Sequence, residues 1–302
     1  MKEIINIGIV LKPSEIKDFG TILTNLFRWL HKREKSVYLL KKEAKRIEKI
    51  IPKTLMEKIN FCDSKKLFNS MDLVMSLGGD GTLLGVSRKI ANDIPLFSVN
   101  LGRLGFITEF SRMDFYEHLN LVLANKFKTS KIYLNSVQIF RGKKVISDEF
   151  FFNDAVITKN AIARMMSVSI EVNNEHTQDV RGDGIIVSST YGSTGYSLAA
   201  GGPIVHPRVN AYILTPICPH ALTHRPVVIS DDSTVTIKII EDIDDVNVTI
   251  DGQIVVPVKY KDFITVKKEK NRYITLINNV EKTYFHTLKE KFVYGTREVN
   301  KD

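Results

Sequence analysis

The sequence predicts an α/β N-terminal domain, a parallel sheet with helices on both faces, followed by an all-β C-terminal domain of sandwich type. Three observations predict it. Short apolar runs alternate with amphipathic stretches through residue 128, the pattern of a parallel sheet with crossover helices. Near Thr129 the pattern changes to short runs rich in Val, Ile and Thr, punctuated by turn residues. Leu77-Gly78-Gly79-Asp80-Gly81-Thr82 then joins an apolar strand to a helix, at a place where α/β sheets bind ligands. The expected organisation is an α/β domain over 1–128, an all-β domain over 129–280, and a tail over 281–302 that packs back on the first domain.

In the first domain, strands are expected at Ile4–Val10, Ser36–Leu40, Asp72–Leu77 and Ile94–Asn100. Helices are expected at Ser14–Lys32, over the Lys-rich stretch after Leu40, from Thr82 with Thr82 as its cap, and at Met113–Asn125. In the second domain, Lys131–Phe140 and Val145–Phe152 form a hairpin around Arg141–Lys144. Further strands follow at Ser167–Val172, Ile185–Ser188, Ala211–Thr215, Val227–Ser230, Thr234–Ile240, Val246–Asp251 and Phe263–Lys267. A short helix is expected after Gly195 and another from Thr283.

Composition narrows the function. The chain has 302 residues, 43% hydrophobic and 25% charged, ordinary for a soluble globular protein. It has no long apolar run, and Met1-Lys-Glu-Ile-Ile lacks a signal-peptide layout, so a cytoplasmic protein is expected. Cys62 and Cys218 have no metal-ligand spacing and imply no disulfide framework. The net charge of +9 is concentrated at His31–Lys35 and Lys41–Lys49, where acids interleave at helical spacing. That is the pattern of a solvated helix face, so no nucleic-acid partner is expected, although a positive field favours polyanionic small molecules.

The Gly78–Gly81 turn places backbone N–H groups at a helix N-terminus, a site for anions. A carboxylate there would repel a bare phosphate. Asp80 therefore makes sense as a base for an attacking hydroxyl or as the partner of a bound Mg²⁺, and phosphoryl transfer uses both features. No G-x-x-x-x-G-K-[ST] loop occurs, and the first strand is not followed by G-x-G-x-x-G. A second cluster runs from Arg181 to Pro203, where glycines alternate with Asp183, Ser193, Thr194, Tyr196 and Ser197. It suits a base and ribose against backbone groups, with Tyr196 as a stacking platform. Asn153 and Asp154 interrupt the apolar run Phe150–Ile157; a ribose diol or a structural hydrogen bond would satisfy them equally. His220 and His224 are spaced i, i+4, but flanking prolines oppose a helix and no carboxylate or Cys completes a metal set.

Together, Leu77–Leu84, Asn100-Leu-Gly-Arg-Leu-Gly-Phe106, Phe152-Asn-Asp154, Gly182–Pro203, Pro216–Pro226 and Asp251-Gly-Gln253 resemble the NAD kinases in order and spacing. The resemblance implies phosphoryl transfer from ATP or polyphosphate, with Mg²⁺ or another divalent cation, to the 2′-hydroxyl of the adenosine ribose of NAD. Asp80 would be the general base, and Gly78, Gly79 and Gly81 would lie beside phosphates. Asn153 and Asp154 would hold ribose hydroxyls. Asp183 and the segment Thr194, Gly195, Tyr196, Ser197, Leu198 and Ala199 would line the adenosine pocket. Arg164, Arg181 and Gln253 would contact the dinucleotide, and Mg²⁺ would be held through substrate phosphates. A homo-oligomer, dimer or tetramer, is the family expectation, with no membrane partner. A lipid kinase shares the GGDGT block but needs an apolar acceptor pocket; a non-catalytic nucleotide-binding regulator would bind without turnover. Several positions depart from the family pattern: Asp154 stands where many members carry Glu, Gly195 where Ala is common, Ser189-Thr190-Tyr191 where Thr-Pro-Thr is commoner, and Gly85 where some carry a basic residue.

Overall fold

A computed structural model describes residues 2–14, 18–102, 105–159, 165–242 and 245–292. The chain forms two compact units, one of residues 1–132 with 274–302 and the other of residues 133–273.

In the first unit, β1 (Asn6–Leu11), α1 (Phe19–His31) and β2 (Ser36–Leu40) are followed by two short helices, α2 (Ala44–Glu48) and α3 (Lys53–Met56). Pro52 separates these two, because it restricts the residue before it and lacks an N–H. Then come β3 (Ile59–Cys62), α4 (Ser64–Asn69), β4 (Leu73–Gly78), α5 (Asp80–Ser87), β5 (Pro95–Asn100), β6 (Phe110–Ser111) and α6 (Phe115–Leu123). The strands run in the order β5-β4-β1-β2-β3, every pair parallel.

The hydrophobic pattern explains the layering. Ile7, Ile9 and Leu11 of β1 share one core with Leu23, Leu26, Phe27 and Leu30 of α1 and with Phe115 and Leu119 of α6. Gly8 points to the opposite face, where a Cβ would stand 2.9 Å from Met71 and 3.2 Å from Leu67 of α4. Each large apolar side chain removed from water in this way contributes about 1.5–3 kcal/mol. The strand order reverses between β1 and β4, so the crevice beyond their carboxyl ends is the topological switch point of the sheet.

In the second unit, β7 (Thr129–Arg141), β8 (Lys144–Phe151), β9 (Asp154–Lys159), β10 (Met166–Val172), β11 (Glu175–Gly182) and β12 (Gly184–Ser189) lead to α7 (Tyr196–Ala199). They are followed by β13 (Ala211–Ile217), β14 (Val227–Ser230), β15 (Val235–Ile239), β16 (Val246–Ile250), β17 (Ile254–Val258) and β18 (Phe263–Ile277). The chain passes between the units inside β7 and β18. One sheet has the order β14-β13-β12-β9-β16-β17 with antiparallel pairing throughout. In the other, β11, β10, β15 and β18 pair successively and antiparallel, and β7 pairs with β18 and β8. Val168, Ile170, Ile237 and Ile239 from this second sheet share a core with Ala155, Ile157, Val187, Val248 and Ile250 from the first, which is a sandwich.

The period of two fixes the consequence for β9 and β16. With Ala155, Ile157, Val248 and Ile250 in the core, Asp154, Val156, Thr158 and Thr249 face the other way. The last helix, α8 (Tyr284–Phe292), belongs to the first unit. No helix among the described residues is long and apolar enough to cross a membrane.

Candidate functional site

The GGDG turn is shorter than the sequence suggested. β4 runs through Gly78 and α5 begins at Asp80, so Gly79 is the N-cap, in extended conformation. Thr82 does not cap the helix. It lies in the first turn, and its N–H donates to the Gly79 carbonyl at 2.9 Å. Gly78 is required sterically, because a Cβ there would stand 2.1 Å from the Thr82 hydroxyl and 3.1 Å from Cβ of Lys12. Lys12 directly follows β1, and its N–H donates to the Leu77 carbonyl at 2.9 Å, so a cation-bearing residue flanks the GGDG turn at the switch point. Sequence reasoning had no reason to select it.

Asp80 is held by the segment after β5. Its Oδ1 accepts the N–H of Ile107 at 3.4 Å, the N–H of Thr108 at 3.1 Å and the Thr108 hydroxyl at 2.9 Å. Its Oδ2 accepts one donor among the described residues, the N–H of Phe106 at 2.8 Å. Asn100, the last residue of β5, donates from Nδ2 to the Thr108 hydroxyl at 3.1 Å, which leaves that hydroxyl's proton directed at Asp80. The approach is so close that a Cβ on Gly105 would stand 2.0 Å from Oδ1 and 2.3 Å from the Thr108 hydroxyl. The GGDG turn and the Asn100–Phe106 motif thus meet around one carboxylate, with one oxygen saturated and the other holding a further lone pair.

In the second unit, Asn153, Asp154, Val156, Thr158, Tyr196, Thr249, Asp251 and Gly252 line a cavity of about 410 Å³. Asp251 closes the end of β16 and accepts the N–H groups of Phe152, Asn153 and Asp154, the shortest being Asn153 at 2.7 Å. The Asp154 carboxyl receives no donor among the described residues. It is 5% exposed, and burial, with the neighbouring Asp251 carboxylate, pushes its pKa up to about 7. Asn153 has a buried side-chain oxygen with no partner among the described residues. Tyr196 is 47% exposed and lies against this wall.

The other sequence candidates sit as follows. A Cβ on Gly195 would be 3.8 Å from both the Asn153 amide nitrogen and the Asp154 carboxylate, which places Gly195 beside the pair. Thr194 donates its hydroxyl to the Tyr191 carbonyl at 3.4 Å. Leu198 and Ala199 complete α7. Ser197 is fully buried with its hydroxyl on Thr215 at 2.8 Å, and Ser193 is equally buried with its hydroxyl on the carbonyls of Thr190 and Val205. Those two hydroxyls brace the segment from within. Gly182 and Gly184 allow strand contact, with a Cβ on Gly184 standing 2.2 Å from the Ile157 carbonyl. Arg181 and Asp183 are exposed on either side of Gly182, and Asp183 pairs with the Cys218 thiol. Gln253 lies in the turn between β16 and β17, its N–H on the Ile250 carbonyl. Arg164 lies outside the described residues. Tyr191, the bulky departure, packs edge-on against Phe152 at 5.0 Å instead of lining the cavity. His224 pairs with the Gln178 amide at 3.1 Å. Asp251 entered the sequence comparison only as part of Asp251-Gly-Gln253; no sequence signal marked it as the charge beside Asp154.

Comparison with known proteins decides among phosphate-handling families. The family models for the N-terminal and C-terminal domains of ATP-NAD kinase match residues 7–127 and 152–278. The chain belongs to the NAD kinase family. An NAD kinase of Geotalea daltonii is 40% identical over 75% of this chain and 80% of its own length. One of Magnetococcus marinus is 34% identical over 95% of this chain and 92% of its own. Among solved structures, an NAD kinase from Archaeoglobus fulgidus in complex with ATP is 25% identical, with a TM-score of 0.72 over 95% of this chain and 98% of that one. Yeast NADH kinase complexed with NADH, 24% identical, shares the fold with a TM-score of 0.87 over 98% of this chain and 89% of that one. As a member of the NAD kinase family the chain is a phosphotransferase that phosphorylates NAD to NADP, which removes the lipid-kinase and non-catalytic readings.

Proposed function

We propose that Asp80 is the general base of this reaction, with ATP as the phosphoryl donor. The observation that supports it is the division of labour in its carboxylate. Oδ1 is anchored by three donors, while Oδ2 keeps a lone pair for an incoming hydroxyl. Asp80 takes the proton of the 2′-hydroxyl of the adenosine ribose as that oxygen attacks the terminal phosphorus. The bond from phosphorus to the bridging oxygen breaks, and ADP leaves with the electron pair. Gly78, Gly79 and Gly81 let the backbone approach the phosphates.

Asn153 and Asp154 hold ribose hydroxyls in the second-unit cavity, with Tyr196 against a ring. The unpartnered Asn153 oxygen and the donor-free Asp154 carboxyl suit a diol, which brings two O–H groups. Asp183, Arg181, Gln253 and the Thr194–Ala199 segment complete the dinucleotide site. A divalent cation would sit on the substrate phosphates and offset their charge. The protein is further proposed to act as a cytoplasmic homo-oligomer.

The test is NADP formation from NAD, ATP and Mg²⁺, with wild type and Asp80→Asn assayed together. General-base assistance is worth about 10²–10⁴-fold, so the variant should bind NAD and lose at least about 10²-fold in kcat. A near-normal kcat in Asp80→Asn would remove the base role.

A further inference from the structure

The segment that cradles Asp80 is itself gripped from behind by the chain's C-terminal residues. Asn279 donates its N–H to the Glu109 carboxylate at 3.0 Å and its side-chain amide to the Glu109 carbonyl at 3.4 Å. Lys282 donates from Nζ to the carbonyl of Thr108 at 2.7 Å. At the other end of the cradle, the Phe106 ring meets the Lys291 ammonium at 5.4 Å and the Phe292 ring at 5.5 Å. Residues 106–109 are therefore fixed on one side by the C-terminal segment, while on the other side 106–108 present their donors to Asp80.

Lys282 stands out in this arrangement. A lysine normally keeps its ammonium in water. This one is drawn inward, and burial pushes its pKa down, with the half-buried Glu109 carboxylate the first charge to oppose that fall and Asp80 the next. Holding an ammonium there is costly, and its hydrogen-bond acceptor is the carbonyl of the residue whose N–H and hydroxyl both hold Oδ1 of Asp80.

We propose that Lys282 is a positioning residue for Asp80: by holding the Thr108 carbonyl it fixes the orientation of Thr108, and through it the carboxylate. The inference rests on the reading of Asp80 as the base. In this role its removal loosens the base and leaves substrate binding as it was.

The experiment is a double-mutant cycle on the full chain, with melting temperature recorded for every variant. Misplacing a catalytic group by about 1 Å can cost about 10²-fold. Lys282→Met is accordingly expected to lower kcat by about tenfold or more, leaving KM for NAD and for ATP within about twofold. Lys282→Arg, which keeps a charged donor, should recover most of kcat. In the Asp80→Asn background Lys282→Met should cost less than about twofold more, because the group it positions is gone. An unchanged kcat in Lys282→Met, beside a crippled Asp80→Asn, overturns the positioning role alone. A raised KM for ATP, or a full loss retained in the Asp80→Asn background, also overturns it and makes Lys282 a phosphate contact. Normal turnover in Asp80→Asn instead overturns the base reading on which the inference stands. If Lys282→Met does not fold, Lys282→Gln is read by the same criteria.

Discussion

Asp80 opens helix α5 and Asp154 opens strand β9, and their surroundings are opposite. Asp80 sits among donors: three N–H groups and a hydroxyl converge on it from residues 106–108. Asp154 sits against a like charge, Asp251, which itself accepts the N–H groups that Asp154 lacks. A carboxylate held by four donors is fixed in orientation, with Oδ2 still open to an incoming hydroxyl. A donor-free carboxyl that shares its site with another acid is poised to take hydroxyl donors from outside. The comparison teaches that residue type alone does not assign a role here; the neighbouring backbone does.

The largest way to break the contrast is Gly105→Ala. The new Cβ would fall 2.0 Å from Asp80 Oδ1, so the cradle or the carboxylate must move. A kcat loss of about 10²-fold is expected, with NAD binding measured by calorimetry unchanged. Normal turnover would show that the cradle is not part of the working site.

Asp154→Asn probes the other side and should act on binding. The charge-assisted bonds to ribose hydroxyls become neutral ones, so KM for NAD should rise about tenfold with kcat reduced less. A pure kcat effect would exchange the roles assigned to the two aspartates.

A smaller effect is the pH dependence of stability. The Asp154 pKa is raised by burial and by Asp251 from 3.8 to about 7, so between those values the native state keeps a proton that the unfolded chain has released. Stability from this group therefore falls as pH rises through that window and is level above it. In urea unfolding from pH 5 to 8, Asp154→Asn should gain stability relative to wild type as pH rises. A constant difference between the two would show that Asp154 is not protonated in the native state.

The smallest expected effect is at Gly195. A Cβ there would meet the Gly192 carbonyl at 3.2 Å and, at 3.8 Å, the Asn153 amide nitrogen and an Asp154 carboxyl oxygen. Gly195→Ala should leave kcat and KM within about twofold. A tenfold change would mean that ligand occupies the space beside Gly195.

Much of the architecture was legible in the residues. β2 and β14 fall on the expected residues, and β1, β4, β5 and most second-unit strands lie within a few residues of expectation, because period and turn chemistry are local. β11, Glu175–Gly182, was missed because its exposed polar residues hide the period, and the short β17, Ile254–Val258, because it is five residues long and carries a proline. In the second Gly cluster the Ser193 and Ser197 hydroxyls turn onto the chain itself: a hydroxyl's direction depends on what packs behind it.

What the residue order determined is the alternation of strands and helices, the change to β structure after Thr129, and the family to which the glycine clusters and their spacing belong. The tertiary structure alone decided the partners of the two aspartates. Asp80 meets donors 26 to 28 residues away, Asp251 reaches back 97 to 99 residues to the Asp154 turn, and Lys282 reaches back 174 to Thr108. The groups they meet are mostly backbone N–H and C=O, which every residue but proline carries alike, so no side-chain pattern marks them before the chain is folded.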